Sequence, residues 1–345
     1  MEQVDGSEGG GQVLRLAISL AALAGQPVRI ENVRGGREQP GLRPQHVAAV
    51  ETVAALADAE TEGVSVGSET VVFVPGARIG GDHTVEVGTA GSVTLLFDAV
   101  LPLALGADGS IRVTAGGGTD VKWSPTIDYL RSVKLPILRT AGLSATVSDV
   151  TRGFYPEGGG HATLEIEPSS IAPLRFPRRG HLDAVEVRSV ATDDLADADV
   201  VARQIAGVES VLDGALDVPV TTKTESVSAV STGTAILVAP RYERVSAGFT
   251  ALGEPGRPAE EVGRAAAERF LEFHGREGTV DPHLADQLLP FLAAAGGEYT
   301  TPVVTDHLRT AIPILGQFDQ PVEMQAATPV RIAAPITRDG DQGRQ

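Results

Sequence analysis

A single histidine, His307, stands in the mostly apolar segment TPVVTDHLRTAIPIL, residues 301–315. Its nearest charged neighbours are Asp306 and Arg309, and the chain contains no cysteine. Three roles fit an isolated histidine of this kind: a buried imidazole satisfied by the core, a metal ligand, or a nucleophile. The segment alone favours the buried, structural role, so a catalytic role needs support from the rest of the chain.

Arginines are concentrated in one glycine-containing stretch, VRGGREQPGLRPQH, residues 33–46. Its cationic and hydrogen-bonding side chains are Arg34, Arg37, Arg43, Gln45 and His46. A planar guanidinium group pairs with two phosphate oxygens at once, and the glycines let the backbone approach a ligand. A solvated loop is the alternative. Because the chain has 28 Lys and Arg residues against 45 Asp and Glu residues, this local density of cations favours a phosphate site.

A glycine string, Gly9–Gly11, leads directly into a predicted helix over residues 12–24. The first N–H groups of a helix have no partner within it and attract anions. The polar side chains of this helix fall on one stripe, formed by Gln12, Arg15 and Ser19. A buried Arg15 would need either an internal carboxylate or a ligand phosphate as its partner. Glu8 either holds a divalent cation beside such a phosphate or is simply an acidic residue at a helix N-terminus.

The segment HLADQL, residues 283–288, places two hydrogen-bonding side chains, Asp286 and Gln287, at the start of an apolar helix. Such side chains bind the ribose or the base of a nucleotide, or they cap the helix. The composition does not choose between these two roles.

The composition limits the classes of protein to which the chain can belong. Its 345 residues allow two or three lobes with their own cores. The net charge is −17 and lysines are scarce, which is typical of a salt-rich cytoplasm and argues against non-specific binding of nucleic acids. No apolar run reaches the ~18 residues of a membrane span, and no signal peptide is visible. We therefore expect a soluble cytoplasmic protein with no membrane partner.

Helix-like and strand-like patterns alternate along the chain and predict an α+β fold. Three triple-glycine strings border predicted elements and indicate a repeated unit: Gly9–Gly11, Gly116–Gly118 and Gly158–Gly160. The sequence becomes more charged from about residue 184 to 278, and the apolar, glycine-containing style then resumes. This change predicts a small α/β domain at 184–278 inserted into a large domain of 1–183 and 279–337, followed by a disordered tail at 338–345.

Taken together, these segments resemble the RNA 3′-terminal phosphate cyclase family. The matching strings are DGSEGGGQVLR, VRGGREQPGLRPQH, GTAGSVTLLF, GGGTDVKWSPTIDYL, GFYPEGGGHA, HLADQLLPF and HLRTAI, in the family's order. They extend over essentially the whole chain, and several are long and specific.

The resemblance implies a large domain of three repeated units, each a four-stranded sheet with two helices, and a small α/β domain inserted before the third unit. It implies a ligase that uses ATP to convert an RNA 3′-phosphate to a 2′,3′-cyclic phosphodiester. A histidine attacks the α-phosphorus of ATP, the AMP passes to the RNA 3′-phosphate, and the neighbouring 2′-OH displaces it. The implied partners are a divalent metal, Mg²⁺ or Mn²⁺, and RNA with a 3′-phosphate end, with no specificity for DNA. A homodimer is also compatible with the family.

The resemblance also assigns roles to single residues. His307 matches the nucleophile that becomes adenylylated, and Glu8 matches the glutamate that helps bind the metal. The residues matched to binding of ATP or of phosphate are Arg15, Arg34, Arg37, Gln45, His46, Asp98, Pro125, His283, Asp286 and Gln287. Two of them depart from the family pattern, because Asp98 replaces a glutamine and His283 replaces a tyrosine. An extra carboxylate beside a triphosphate repels it unless a metal ion or a proton intervenes.

Two other functions compete with this prediction. Cyclase-like relatives act in ribosome assembly without catalysis and lack the histidine, whereas this chain retains His307 together with Arg15 and Glu8. Enolpyruvyl transferases share the repeated architecture, but their own motifs are not visible here. We therefore predict an enzyme, with a non-catalytic RNA-binding factor as the alternative.

Overall fold

The computed structural model describes residues 1–88 and 90–336, and the tail predicted at 338–345 lies outside the described residues. The chain begins with a four-stranded sheet and two helices. In chain order these elements are β1 (Glu2–Asp5), α1 (Gly11–Ala24), β2 (Val28–Glu31), α2 (Pro44–Leu56), β3 (Glu60–Glu62) and β4 (Val71–Val74). The strand order is β1-β2-β4-β3, with β1 parallel to β2 and the other pairs antiparallel.

A second sheet of the same topology follows. Its elements are β5 (Gly81–Glu86), α3 (Val93–Val100), β6 (Ile111–Gly117), α4 (Ile127–Tyr129), α5 (Leu135–Thr140), β7 (Ala145–Thr151) and β8 (Gly160–Ile166). The strand order is β5-β6-β8-β7, and the first pair is again parallel. A π-helical turn, Leu130–Lys134, joins α4 to α5 just before Pro136. Proline lacks an N–H and its ring collides with the carbonyl four residues earlier, which accounts for an irregular turn there.

The third sheet begins with the short strand β9 (Leu174–Phe176), after which the chain leaves it. A separate four-stranded sheet with two helices comes next. Its elements are β10 (Leu182–Thr192), α6 (Val200–Leu212), β11 (Val220–Val227), β12 (Thr234–Tyr242), β13 (Phe249–Leu252) and α7 (Ala259–His274). The strand order is β11-β10-β12-β13, and α6 packs against α7. We call this the insertion, and the domain bounds of 184 and 278 stay a prediction.

The chain then returns to complete the third sheet. The remaining elements are α8 (Pro282–Gln287), α9 (Leu289–Ala295), β14 (Gly297–Thr301), α10 (Asp306–Gln317), β15 (Glu323–Gln325) and β16 (Val330–Ala334). The strand order is β15-β16-β14-β9, and β9 pairs with β14 in parallel. The insertion therefore lies inside the third unit, after its first strand. The expectation that it precedes the third unit was wrong.

The predicted fold class is confirmed, since three sheets share one topology and a fourth belongs to the insertion. The triple-glycine strings, however, do not mark the repeat. Gly9–Gly11 leads into α1 of the first unit, whereas Gly116–Gly118 and Gly158–Gly160 both lie in the second unit. The third unit has no such string. The repetition is therefore seen in the strand order rather than in these motifs.

Helix α1 lies at the centre of the repeated units. It packs against α2, α3 and α10, which come from all three units. A helix surrounded in this way has to be apolar on nearly every side, as the residues from Val13 to Ala22 are. The one polar stripe of α1 opens onto a cavity instead. Among the helices of the described residues, none has the length and apolarity needed to cross a lipid bilayer.

Candidate active site

One cavity of about 890 Å³ lies where the three units and the insertion meet. It is lined by eleven of the predicted site residues: Arg15, Arg34, Arg37, Gln45, His46, Asp98, Pro125, His283, Asp286, Gln287 and His307. They come from segments that are far apart in sequence. Glu8 is exposed and does not line the cavity, although Gly9 beside it does. The fold thus brings the predicted residues together, with Glu8 at the edge of the cluster.

The N-terminus of α1 forms one wall of the cavity. Its N-cap, Gly10, has a left-handed φ of 65° and supplies no side-chain cap, so among the described residues no side-chain cap satisfies the first N–H groups of the helix. The Arg37 guanidinium lies against Gly10, where a Cβ would come within 3.2 Å of Nη2. A Cβ at Gly11 would collide with the ring of His46 and crowd Arg15. Glycines are therefore needed for these cations to approach the helix end, and the result is a cradle for an anion.

His46 is a neutral hydrogen-bond donor in this cradle. Its ring is buried, and Nδ1 accepts a hydrogen bond from the backbone N–H of Arg43 at 3.0 Å. Burial, together with the charges of Arg15, Arg34 and Arg43, lowers the pKa of His46 to about 3. The single ring proton therefore sits on Nε2, which faces Gly11. A neutral Nε2–H can donate to a phosphate oxygen near pH 7 without an ionisation of the ring.

Arg34, beside the cradle, is not paired with a carboxylate in the part of the chain that the structure describes. Arg34 donates through Nη1 to the carbonyls of Gln39 at 2.9 Å and Gly41 at 2.8 Å. Burial, and the like charges of Arg43 and Arg37, lower the pKa of Arg34.

Arg15 follows the same pattern. Within residues 1–88 and 90–336, no hydrogen bond or ion pair joins Arg15 to a carboxylate. Burial lowers the pKa of Arg15, against the opposing charges of Asp98 and Asp286. Guanidinium groups that have no carboxylate within hydrogen-bond distance suit an anionic ligand.

Asp98 does not face the cavity as a free carboxylate. It accepts a hydrogen bond from Nζ of Lys134 at 2.6 Å, and the lysine is almost fully buried. Lys134 is one of only three lysines in the chain. The repulsion expected between Asp98 and a triphosphate is therefore offset by a lysine, and neither a metal ion nor a proton is required for this.

His307 lies at the second position of α10, whose N-cap Thr305 accepts a hydrogen bond from the N–H of Leu308. Its side chain is 54% exposed, so the role of a buried core histidine is wrong. Nδ1 of His307 lies 3.6 Å from Oδ2 of Asp286, and the same oxygen accepts a hydrogen bond from Gln12 at 3.2 Å. Asp286 thus connects Gln12, on the polar stripe of α1, with Nδ1 of His307. The other ring nitrogen, Nε2, is not the one that faces this carboxylate.

Two buried acceptors near His307 have no partner in the described part of the chain. They are Oε1 of Gln12 and Oε1 of Gln287, and both residues line the cavity. A buried acceptor without a hydrogen bond is costly, which indicates that a ligand or solvent donor satisfies it. His283, on the same helix as Gln287, is exposed on the cavity side. The carbonyl of Pro125 accepts a hydrogen bond from Thr94 at 2.7 Å, which fixes the opposite wall.

The carboxylates of the site suit a metal that is bound mainly by phosphates and water. In the described residues, no group of three or more His, Asp or Glu side chains forms a cation cage. Glu8 is exposed and, within the same residues, makes no ion pair. Mg²⁺ commonly uses one or two carboxylates together with substrate phosphates and waters. A single free carboxylate beside the anion cradle fits that mode.

Several residues of the cavity were not among those to which the family resemblance gave a role. Gln12 belongs to the polar stripe with Arg15, and Arg43 belongs to the arginine-rich stretch, so both had a detectable signal. Lys134 and Tyr129 had none, because their contribution depends on Asp98 and Asp281, which are distant in sequence. Trp123 had none because nothing in its local sequence indicates that its ring is exposed.

Comparison with known proteins identifies the class of the chain. A family model described as RNA 3'-terminal phosphate cyclase matches residues 6–323. The chain therefore belongs to the RNA 3′-terminal phosphate cyclase family.

Individual relatives support this membership. The chain is 45% identical over 336 residues to "RNA 3'-terminal phosphate cyclase" of Halobacterium salinarum, covering 94% of this chain and 97% of the relative. It is 40% identical over 317 residues to the protein of the same name from Pyrococcus furiosus, covering 91% and 92%. The Archaeoglobus fulgidus relative of this name is 39% identical over 322 residues, covering 92% and 95%. The resemblance drawn from the sequence is confirmed, and it supports a cyclase function.

Proposed function

We propose that the chain is an ATP-dependent cyclase that converts an RNA 3′-terminal phosphate to a 2′,3′-cyclic phosphodiester, with His307 as the residue that carries AMP. One observation supports the proposal above the others: a single cavity contains an exposed histidine and a cradle of arginines and helix N–H groups. A non-catalytic RNA-binding factor has no need of both.

The first step is the attack of His307 on ATP. Because Nδ1 faces the Asp286 carboxylate, the proton is held on Nδ1 and the lone pair is on Nε2. Nε2 forms a bond to the α-phosphorus, and the bond from that phosphorus to pyrophosphate breaks. The 3.6 Å separation between Nδ1 and Asp286 shortens to a hydrogen bond when the ring acquires positive charge.

The leaving pyrophosphate is stabilised by the cradle at α1. Arg15, Arg37 and the Nε2–H of His46 converge on the glycines at the start of that helix. These donors are in place before the reaction, so they need little reorganisation as charge moves onto pyrophosphate. The unpartnered acceptors of Gln12 and Gln287 bind hydroxyl or amino groups of the nucleoside.

Two further transfers complete the cycle. An oxygen of the RNA 3′-phosphate attacks the phosphorus of the histidine-bound AMP, and the bond from phosphorus to Nε2 breaks. The 2′-OH then attacks the 3′-phosphorus, loses its proton to solvent or to a base, and displaces AMP. This last step is fast because the nucleophile and the phosphorus belong to the same ribose.

A divalent cation, Mg²⁺ or Mn²⁺, fits Glu8 and would neutralise part of the triphosphate charge when bound. Glu8, at the residue before Gly9, is placed to bind such an ion at the edge of the cradle. The homodimer stays a prediction, for which the molar mass in solution is the test.

The proposal is tested by labelling the protein with ATP carrying ³²P at the α-phosphate. We expect an acid-labile, alkali-stable label in the unchanged chain and none in a folded His307→Ala variant. His161→Ala is the matched control, because His161 is also exposed but does not line the cavity. Undiminished labelling of His307→Ala would mean that a different residue carries AMP.

A second test concerns the RNA. An oligonucleotide with a 3′-phosphate is expected to give the cyclic product, whereas one with a 2′-deoxy terminal sugar accumulates as the adenylylated oligonucleotide. A cyclic product from the deoxy substrate would contradict the proposed last step.

A further inference from the structure

The only tryptophan of the chain, Trp123, stands at the mouth of the cavity. Its side chain is 95% exposed, and its backbone has a left-handed φ of 63°. Neither property is usual for a tryptophan in a folded chain, because its large apolar ring gains most from burial and its Cβ disfavours positive φ. Of the large exposed apolar side chains that the described residues contain, Trp123 alone lines the cavity.

The insertion forms the opposite side of the mouth. Lys122, next to Trp123, pairs with Glu254 of the insertion at 3.2 Å, which ties the two sides together. Arg257 and Arg269 also line the cavity from this side. Their guanidinium groups donate only to backbone carbonyls, of Glu261 and Thr250, and neither is paired with a carboxylate in the described residues.

We propose that Trp123 is a stacking platform for a base of the RNA strand that precedes the terminal nucleotide, and that Arg257 and Arg269 bind backbone phosphates of that strand. The inference rests on the proposed function, since it concerns the path of the same RNA. Single-stranded RNA is recognised by aromatic side chains that stack on unpaired bases and by arginines that bind the backbone.

The observations favour RNA over a protein partner at this position. A protein partner would be expected to cover a contiguous apolar patch, but in the described residues no second large exposed apolar side chain lines the cavity with Trp123. In a chain of net charge −17, unpaired arginines beside an exposed ring and a phosphate cradle are complementary to a polyanion that carries bases. The left-handed backbone at Trp123 coincides with a ring that is directed to solvent and lines the cavity.

Because Trp123 is the only tryptophan, the intrinsic fluorescence of the unchanged protein reports on the contact directly. We expect saturable quenching when a five-nucleotide RNA with a 3′-phosphate is added without ATP. A series with one abasic position at a time is expected to lose the quenching at one internal position. RNA binding is measured in parallel by the anisotropy of a 5′-labelled strand. Binding without any change in tryptophan fluorescence would overturn the inference.

Steady-state kinetics give an independent test. Trp123→Ala is expected to raise KM for the five-nucleotide substrate roughly 5- to 150-fold, the effect usual for loss of one base–aromatic stack. A nucleoside 3′-phosphate, which has no preceding base, is expected to keep its KM, and Trp123→Phe is expected to retain most of the affinity. Tyr155→Ala is the control, since Tyr155 is 73% exposed but does not line the cavity. An equal rise in KM for both substrates would contradict stacking.

The arginines are tested through the salt dependence of KM. Arg269→Ser is expected to reduce the slope of log KM against log salt by about 0.7, the value for one phosphate contact with a single strand. An unchanged slope would refute the phosphate path. Failure of the inference is distinguishable from failure of the proposed function, because labelling of His307 by ATP is measured on the unchanged chain and in the absence of RNA. If ATP labels His307 but Trp123→Ala does not change KM for the five-nucleotide RNA, only the proposed RNA path is rejected.

Discussion

The buried ion pair between Lys134 and Asp98 is expected to affect ATP binding in opposite directions when one or the other partner is removed. Lys134→Met leaves the Asp98 carboxylate unpaired at the wall of the cavity, whereas Asp98→Asn leaves the Lys134 ammonium unpaired there. Removing one partner of a buried pair destabilises a protein by about 3–5 kcal/mol. Both variants are therefore expected to unfold at a lower temperature, by similar amounts.

The effect on ATP differs in sign because the remaining charge differs in sign. At an effective dielectric constant of about 40 and a separation of about 10 Å, a unit charge and one phosphate charge interact by about 0.8 kcal/mol, or about fourfold in affinity. Lys134→Met is expected to raise the Kd of ATP about fourfold, and Asp98→Asn to lower it about fourfold. The double variant restores neutrality and is expected to bind ATP about as tightly as the unchanged chain.

The assay is calorimetric titration of ATP at a temperature at which every variant is folded, with thermal unfolding measured on the same samples. Equal losses of stability with opposite shifts of Kd are specific to a charge that faces the phosphates. If both single variants weaken ATP binding, the change comes from distortion of the cavity wall, and the electrostatic account of the Asp98 substitution is refuted.

Two further predictions concern stability. The pKa of His46 falls from 6.5 in the unfolded chain to about 3 in the fold, so the stability due to its neutral form is complete above pH 6.5 and is lost as the pH falls towards 3. His46→Asn is expected to reduce the slope of unfolding free energy against pH in this window by about 1.4 kcal/mol per pH unit, measured by urea unfolding, and an unchanged slope would show that the buried ring titrates normally. Asp281 is fully buried and accepts hydrogen bonds from Tyr129, from Gly248 of the insertion, and from the first N–H groups of α8. Asp281→Ala is expected to cost about 3–5 kcal/mol of unfolding free energy and Asp281→Asn about 1–2, because Asn keeps one acceptor oxygen, and equal losses would mean that the cost is one of packing.

The parts of the site that lie close together in sequence were predictable. The spacing of apolar and polar residues over 12–24 predicted both helix α1 and its polar stripe. The density of arginines at 33–46 indicated a phosphate site. Local patterns could not give Lys134 as the partner of Asp98, 36 residues away, or Gln12 as a donor to Asp286, 274 residues away. Those contacts arise only when the three units pack together.

The position of the insertion shows the same limit. Strand β9 has three residues, which is too short for an alternating pattern to be recognised. Only its parallel pairing with β14, more than a hundred residues later, assigns it to the third sheet. The change in composition near residue 184 marks where the sequence becomes more charged. The first strand of the third unit, β9, lies before this point in the sequence, so the change does not mark the start of that unit.

The glycine string at the start of α1 explains why the proposed nucleophile on α10, His307, lies beside the proposed phosphate cradle on α1. A Cβ at Gly9 would lie 2.7 Å from Oγ1 of Thr310, on the turn of α10 that follows His307. Glycine therefore lets the N-termini of the two helices come together, while Gly10 and Gly11 admit Arg37 and His46 on the other side. In the proposed reaction, the free N–H groups at this helix start would bind the anion, and the same three glycines would set its distance from the imidazole. A side chain at any of these three glycines would push away Thr310, Arg37 or His46. The anion cradle and His307, which the proposed reaction needs within one cavity, would then lie further apart.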